Sequence, residues 1–289
     1  MSFAILARAP VLNIPGAIYH VMNRGNRKEL IFLDDWDRYR FIRILTDTAA
    51  EFGVDVLADC QMGTHFHLVV LNTNGNLPEF MQQLEGQFAQ YLNKRHLRVG
   101  HVFQGPFRRV LIEHDIHLLI AINYVLMNPI TAGLVSRLED WKWSSYLPTA
   151  GLAPPRAYLS TTWLDDLFPA ESHQQSQERF REFMNNPQPI ESYLTQGPVF
   201  GSDSFKQVIR SYVEESLFRV YVPRSYRALS RPSLEELLPP GLSHQGRALA
   251  IQRACVVYGY RQSEIARALA LHPASVSRIV CSLRKAAGQ

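Results

Sequence analysis

Apolar and polar residues along the chain follow two periods, one near 2 and one near 3.6, and the switches between them mark out the elements. Strand-like stretches are GAIYHVMNRG (16–25), VDVLADCQM (54–62), THFHLVVLN (64–72) and HVFQGPFRRVLIE (101–113). Between them, DDWDRYRFIRILTDTAAEFG (34–53) and LPEFMQQLEGQFAQYLNKRH (77–96) carry the helical spacing of apolar positions, as does DIHLLIAINYVLMNP (115–129), which Pro129 is expected to end. The second and third strands are separated only by the few residues around Gly63, so a hairpin with antiparallel pairing is predicted. The pattern is that of an α+β domain, helices packed on a small and largely antiparallel sheet.

Beyond residue 147 the pattern changes. Residues 148–200 are rich in Pro, Ser, Thr and Gln, helical pieces follow near 203–221 and 233–239, and 148–242 reads as a mostly helical connector of unknown role. Residues 243–289 are all helical in pattern, with helices predicted over GRALAIQRACVVYGY, RQSEIARALA and PASVSRIVCSLRKA. The expected domains are therefore 1–147, 148–242 and 243–289. The last of these holds seven Arg or Lys against one acidic residue, whereas residues 1–147 hold 14 of each sign. A basic bias confined to one end is expected of a DNA-facing surface.

With 46% hydrophobic and 19% charged residues in 289, the chain can bury a sizeable core, and global disorder is excluded. No apolar run reaches the ~20 residues of a membrane span, and the N-terminus lacks a signal-peptide core, so no membrane partner and a cytoplasmic location are expected. Cys60, Cys255 and Cys281 are too scattered for a disulfide framework or a thiolate zinc site. A net charge of +4 and a pI near 9.0 permit a nucleic-acid partner without requiring one.

Two constellations stand out chemically. In GTHFHLVV, strand alternation places His65 and His67 on one face, roughly 6–7 Å apart, where both imidazoles can converge on a cation. The same pair could equally be hydrogen-bonded on a half-exposed sheet face. In YVLMNP, Tyr124 and Asn128 are one helical turn apart and share a face, with Asn128 expected at the helix end. A core tyrosine and a capping asparagine would give the same spacing. His20, His101, His114 and His117 belong to no motif, and core or surface roles are expected for them.

Taken together, GAIYHVMNRGN, QMGTHFHLVV, HVFQGPFRRV and INYVLMNPITAGLV resemble, in order and spacing, the REP-associated tyrosine transposases, single-tyrosine transposases of the HUH nuclease superfamily. The resemblance covers roughly residues 10–150. It departs from the family pattern at Gly63-Thr64, where Pro-Asn often precedes the first histidine. It implies an HUH, ferredoxin-like palm, His65, His67 and Asn128 as metal ligands, and Tyr124 as the nucleophile. It further implies a metal-dependent endonuclease and strand transferase acting on single-stranded, hairpin-forming (REP-like) repeat DNA, with bacterial nucleoid association. Relatives occur as monomers and as dimers that exchange helices, so either state stays open.

The residue types suit that chemistry. A phenol oxygen attacking a phosphodiester gives a 5′-phosphotyrosine that a DNA 3′-hydroxyl can reverse, whereas a metal-bound water would hydrolyse irreversibly. Two imidazoles and an amide oxygen suit Mg²⁺ or Mn²⁺, with Mn²⁺ the more tolerant of nitrogen. Candidate DNA contacts are Arg24, Arg27, Lys28, Lys94, Arg95, Arg98, Arg108 and Arg109, the last two following Phe103 and Phe107. GYRQSEIARALALHPASVSRIV is similar to a helix-turn-helix and, loosely, to the DNA-binding end of bacterial replication initiators. It lacks the usual turn glycine, with Leu271-His272 in its place. Ser275, Ser277 and Arg278 would then lie on a recognition helix reading duplex DNA. The alternatives are a catalytically silent DNA-binding regulator derived from a transposase, a water-using hydrolase, and, for the C-terminal helices, a plain packing module.

Overall fold

The computed structural model describes residues 13–114, 116–186, 193–195, 197–216, 227 and 231–287. The first twelve residues and the 217–221 part of the expected helical piece lie outside them. Two compact units form, one spanning Asn13–Ser202 and the other holding Asp203–Gln289.

The first unit is built on a five-stranded sheet in the order β2-β3-β1-β4-β5. β1 (Ala17–Arg24), β2 (Val54–Gln61), β3 (His65–Asn72) and β4 (Arg108–Ile112) pair antiparallel, and the short β5 (Val199–Phe200) runs parallel to β4. The predicted hairpin is β2–β3. The predicted strand 101–113 is shorter than its apolar pattern suggested, because only Arg108–Ile112 joins the ladder. Ahead of it Phe103 makes an isolated bridge to Gly25, and Pro106, with no N–H to donate, falls outside the pairing.

Helices cover both faces. α1 (Asp35–Phe52) starts at Asp34, whose carboxylate accepts from the Asp37 N–H, and stops at Gly53, which takes the left-handed conformation that a residue with a Cβ adopts only at a cost. α2 (Leu77–Arg95) runs beside it. Phe66 points to this side of the sheet and meets Phe41 at 4.9 Å between ring centroids, while Phe41 in turn meets Phe88 at 5.0 Å and Phe32 at 5.4 Å. At the helix ends Arg95 bonds the carboxylates of Asp34 and Asp37, and His96 also reaches Asp37 (3.0 Å), so the basic end of α2 is tied to the acidic start of α1.

The other face carries α3 (Ile116–Thr131), whose Leu118, Ala121, Ile122, Val125 and Leu126 bury against Ile18, Val69, Val110 and Ile112. Pro129 does not end this helix as expected; it lies inside it. Proline takes away the N–H that would bond the Val125 carbonyl, and the Asn128 side chain substitutes, its Nδ2 donating to the carbonyls of Tyr124 (2.7 Å) and Val125 (3.4 Å). The helix survives its proline because the preceding residue supplies the lost donor.

Residues 148–186, together with 193–195 and 197–202, join the same core. The short helices α4 (Tyr146–Thr149), α5 (Trp163–Leu167) and α6 (His173–Asn185) contribute Tyr146, Trp163, Leu164, Phe180 and Met184 to the α3 side. Tyr158 donates to the buried Asp59 of β2 (2.9 Å), and Ser160 N–H bonds the Val56 carbonyl, stitching this stretch to the sheet edge. Tyr193, 1% exposed, stacks on Phe200 of β5.

In the second unit α7 (Asp203–Ser216) and α8 (Leu234–Leu237) precede α9 (His244–Val256), α10 (Gln262–Ala268) and α11 (Pro273–Ala287). α9, α10 and α11 bury Ile251, Ala254, Ile265, Ala266, Val276 and Val280 together. The left-handed residue of the α10–α11 turn is Ala270 (φ 53°), one position before the Leu271-His272 pair expected there.

Two stability tests follow from this packing. Phe41→Ala should cost about 3–5 kcal/mol, read as a lower urea midpoint, since it empties the aromatic layer between sheet and helices. Ala270→Gly should stabilise the C-terminal helices by up to ~1 kcal/mol, because glycine relieves a conformation that costs alanine roughly that much. Slower amide exchange in 251–280 would report it, and unchanged or faster exchange would show that the turn is not strained.

Candidate active site

The β1–β3 register sets the site. His67 lies opposite Met22 and His65 opposite Arg24, while His20 lies opposite Val69, so Arg24, His20, His65 and His67 all project from the face that α3 covers. Arg108, opposite Met22 on β4, belongs to that face as well. The His65 and His67 rings lie 5.0 Å apart, nearly perpendicular. Tyr124 of α3 packs against His67 and His20, its ring centroid 6.1 Å from the first and 6.0 Å from the second.

His67 is 1% exposed. Its Nδ1 is hydrogen-bonded to His20 Nε2 (2.9 Å), and His20 Nδ1 is bonded to the Tyr193 hydroxyl (2.7 Å). The remaining ring nitrogen, His67 Nε2, is buried and has no hydrogen-bond partner. An unsatisfied buried nitrogen costs about 1–3 kcal/mol, so a bound cation at that atom would remove a penalty the fold otherwise carries. His65 engages Thr64 Oγ1 through Nδ1 (3.0 Å), which leaves its Nε2 for a ligand too.

Electrostatics keep these rings neutral, as metal ligation requires. Burial lowers His20 to about 3, and burial with the nearby Arg24 guanidinium lowers His65 to about 4. His67 is pushed well below its ordinary value, first by burial and then by His20, His65 and Arg24. Burial and the neighbouring Tyr124 hold Tyr193 as a phenol.

Among the described residues no group of three or more His, Cys, Asp or Glu is placed to hold a metal. A cation on the histidine pair would therefore take its further ligands from other donors. Asn128, one turn beyond Tyr124, spends its amide N–H groups on its own helix and keeps Oδ1 as the atom able to ligate.

The structure brings His65, His67 and Tyr124 together and adds two residues that motif reading did not assign, His20 and Tyr193. His20 was expected in a core or surface role. A histidine in the strand AIYHVM carried the same oddity as the His65–His67 pair, but only the strand register shows that it meets them.

The candidate DNA contacts are placed differently from one another. Arg27 and Lys28 are exposed in left-handed conformations just after β1, and Lys94 is exposed in the last turn of α2. Arg95 is bonded to Asp34 and Asp37, and Arg98 to the Leu30 carbonyl and Glu29. Arg108 is exposed, and Arg109 lies over the Phe107 ring. In the second unit Arg278 is exposed while Ser275 and Ser277 are half-buried on α11. His117 pairs with Glu113.

Comparison with known proteins follows the same line. Residues 13–125 match the family model described as Transposase IS200 like, a stretch that runs from before β1 to just past Tyr124. The chain is also similar to the REP-associated tyrosine transposases, the resemblance its motifs carry. A candidate REP-associated tyrosine transposase of Haemophilus influenzae is 26% identical over 110 residues, 34% of this chain, and the chain spans 62% of that relative's length. Among solved structures, a REP-associated tyrosine transposase bound to a REP hairpin aligns with 54% of this chain and 94% of its own at 16% identity and a TM-score of 0.44. A candidate transposase of Deinococcus radiodurans aligns with 43% and 89% at 17% and 0.30.

The depressed imidazole values make a pH prediction. Neutral in the folded chain and protonated near 6.5 when unfolded, these histidines favour unfolding as the pH falls from about 6.5 toward their folded values. The urea midpoint should decline across that window. In a proton NMR titration the His65 ring should change near pH 4, and a midpoint at 6 or above would mean that the pocket is open to water.

Proposed function

We propose that the chain is a DNA-cleaving and rejoining transposase whose nucleophile is Tyr124, acting at a divalent cation, Mg²⁺ or Mn²⁺, held by His65, His67 and Asn128. One observation carries the reading: a helix-borne phenol lies against the neutral His67 ring, whose buried Nε2 has no partner and which sits 5.0 Å from the neutral His65 ring. The motif resemblance to REP-associated tyrosine transposases implies single-stranded, hairpin-forming repeat DNA as the substrate class.

When bound, the cation would withdraw charge from a non-bridging phosphoryl oxygen. The chain's own part is positional. α3 presents the Tyr124 oxygen to phosphorus; the new P–O bond forms as the bond to the 3′-oxygen breaks, and the proton released by the phenol ends on the departing 3′-hydroxyl. The 5′-phosphate stays on the tyrosine as an aryl ester, which a 3′-hydroxyl can attack to reverse the step. Arg24 and Arg108, on the same face, suit contact with the flanking phosphates. The helices α9–α11, with seven basic residues against one acidic in 243–289, suit a second contact with duplex DNA through Ser275, Ser277 and Arg278.

Labelled hairpin DNA with single-stranded flanks and Mn²⁺, resolved on denaturing gels, tests the reading. The parent chain should cut and form a covalent adduct. Tyr124→Phe should abolish both, losing at least ~10³-fold in rate while retaining DNA binding, and His65→Ala should also fail to cut. Binding without cleavage by the parent would favour the regulator reading, and cleavage surviving Tyr124→Phe would favour a water nucleophile.

A further inference from the structure

We infer that His20 and Tyr193 are positioning residues for the cation site: they clamp the His67 ring so that its Nε2 is the atom presented for ligation. This rests on the proposed function in taking His67 as a ligand. It assigns work to two residues outside the ligand set, one of them from the stretch beyond the transposase match.

The geometry forms an unbroken chain. Tyr193 Oη, His20 and His67 are linked by bonds of 2.7 and 2.9 Å, and all three side chains are at most 1% exposed. Two bonded nitrogens of neutral imidazoles share one proton. For His67 to offer a lone pair at Nε2, its proton must sit on Nδ1 and be donated to His20 Nε2. His20 must then carry its own proton on Nδ1 and donate it to the Tyr193 oxygen. Only that arrangement is compatible with ligation, and each member fixes the next.

Without His20 the Nδ1 of His67 would face no acceptor, and the ring would be free to turn or to hold its proton on Nε2. Without the Tyr193 hydroxyl, His20 would lose the partner that fixes its own tautomer. Tyr193 itself is held by its stack on Phe200 of β5 (4.4 Å between centroids) and by edge contact with Tyr124 (5.3 Å). The last strand of the sheet thereby supports the site through a contact that neither motif contains.

The test uses the full chain with His20→Phe, His20→Gln and Tyr193→Phe, each checked by circular dichroism and thermal melting. Mn²⁺ affinity by titration calorimetry should fall 10–100-fold in His20→Phe and more modestly in Tyr193→Phe, and recover in His20→Gln, whose amide oxygen can accept from Nδ1. In DNA cleavage the Mn²⁺ concentration for half-maximal rate should rise while the rate at saturating metal is kept, a split that a general loss of structure would not give. In the metal-free parent, a nitrogen–nitrogen coupling across the His67–His20 hydrogen bond should be seen by NMR.

If folded Tyr193→Phe and His20→Phe bind Mn²⁺ as the parent does, or if the coupling is absent, the clamp is overturned. Should His20→Phe not fold, Tyr193→Phe and the coupling decide. A parent that shows the coupling but binds no Mn²⁺ overturns the proposed function and the ligand-orienting role built on it. A parent that binds Mn²⁺ equally well in every variant overturns the clamp alone.

Discussion

The register between β1 and β3 is the constraint on which the site depends. Opposed residues on antiparallel strands share a face, and a slip of one residue would turn every side chain of β3 to the other side. In the observed register His65, His67, His20 and Arg24 face α3, while Phe66 enters the aromatic layer with Phe41 and Phe88. The hydrophobic demand of that layer thus fixes the direction of the imidazoles. Burial of Phe66, at about 1.5–3 kcal/mol for such a side chain, holds two polar rings on the opposite face, one of them buried with a nitrogen unpaired.

α3 answers the same constraint from the other side. Its apolar stripe, Leu118, Ile122, Val125 and Leu126, packs on Val69, Val110 and Ile112, and this sets the helix rotation that brings Tyr124 against His20 and His67. Asn128 serves the helix itself: its N–H groups bond the Tyr124 and Val125 carbonyls beside Pro129.

The second unit follows a different logic. Its small core of Ile251, Ala254, Ile265, Ala266, Val276 and Val280 packs three helices, and Glu264, the one acidic residue of 243–289, is spent on Arg231 and on the start of α10. Residues 243–289 keep a net basic charge, seven Arg or Lys against one acid. That charge is the physical basis for reading them as a DNA contact.

Much was legible in the chain alone. Period-2 and period-3.6 patterns gave β1, the β2–β3 hairpin, α1, α2, α3 and the C-terminal helices, because those elements bury a single face and their periodicity is local. The spacing of His65 with His67, and of Tyr124 with Asn128, put each pair on one face, since alternation and helical pitch are properties of the backbone. Tertiary structure decided the rest. It brought His20 against His67 and carried Tyr193 in from more than a hundred residues away, through a strand of two residues that no pattern reveals. It shortened the fourth strand and ran α3 through its proline, where a side-chain donor outweighed the rule that proline stops a helix. Residues 148–186 join the core because Tyr158, Trp163 and Phe180 find apolar or bonded partners on the sheet and α3, and such partners are defined only once distant parts of the chain have met.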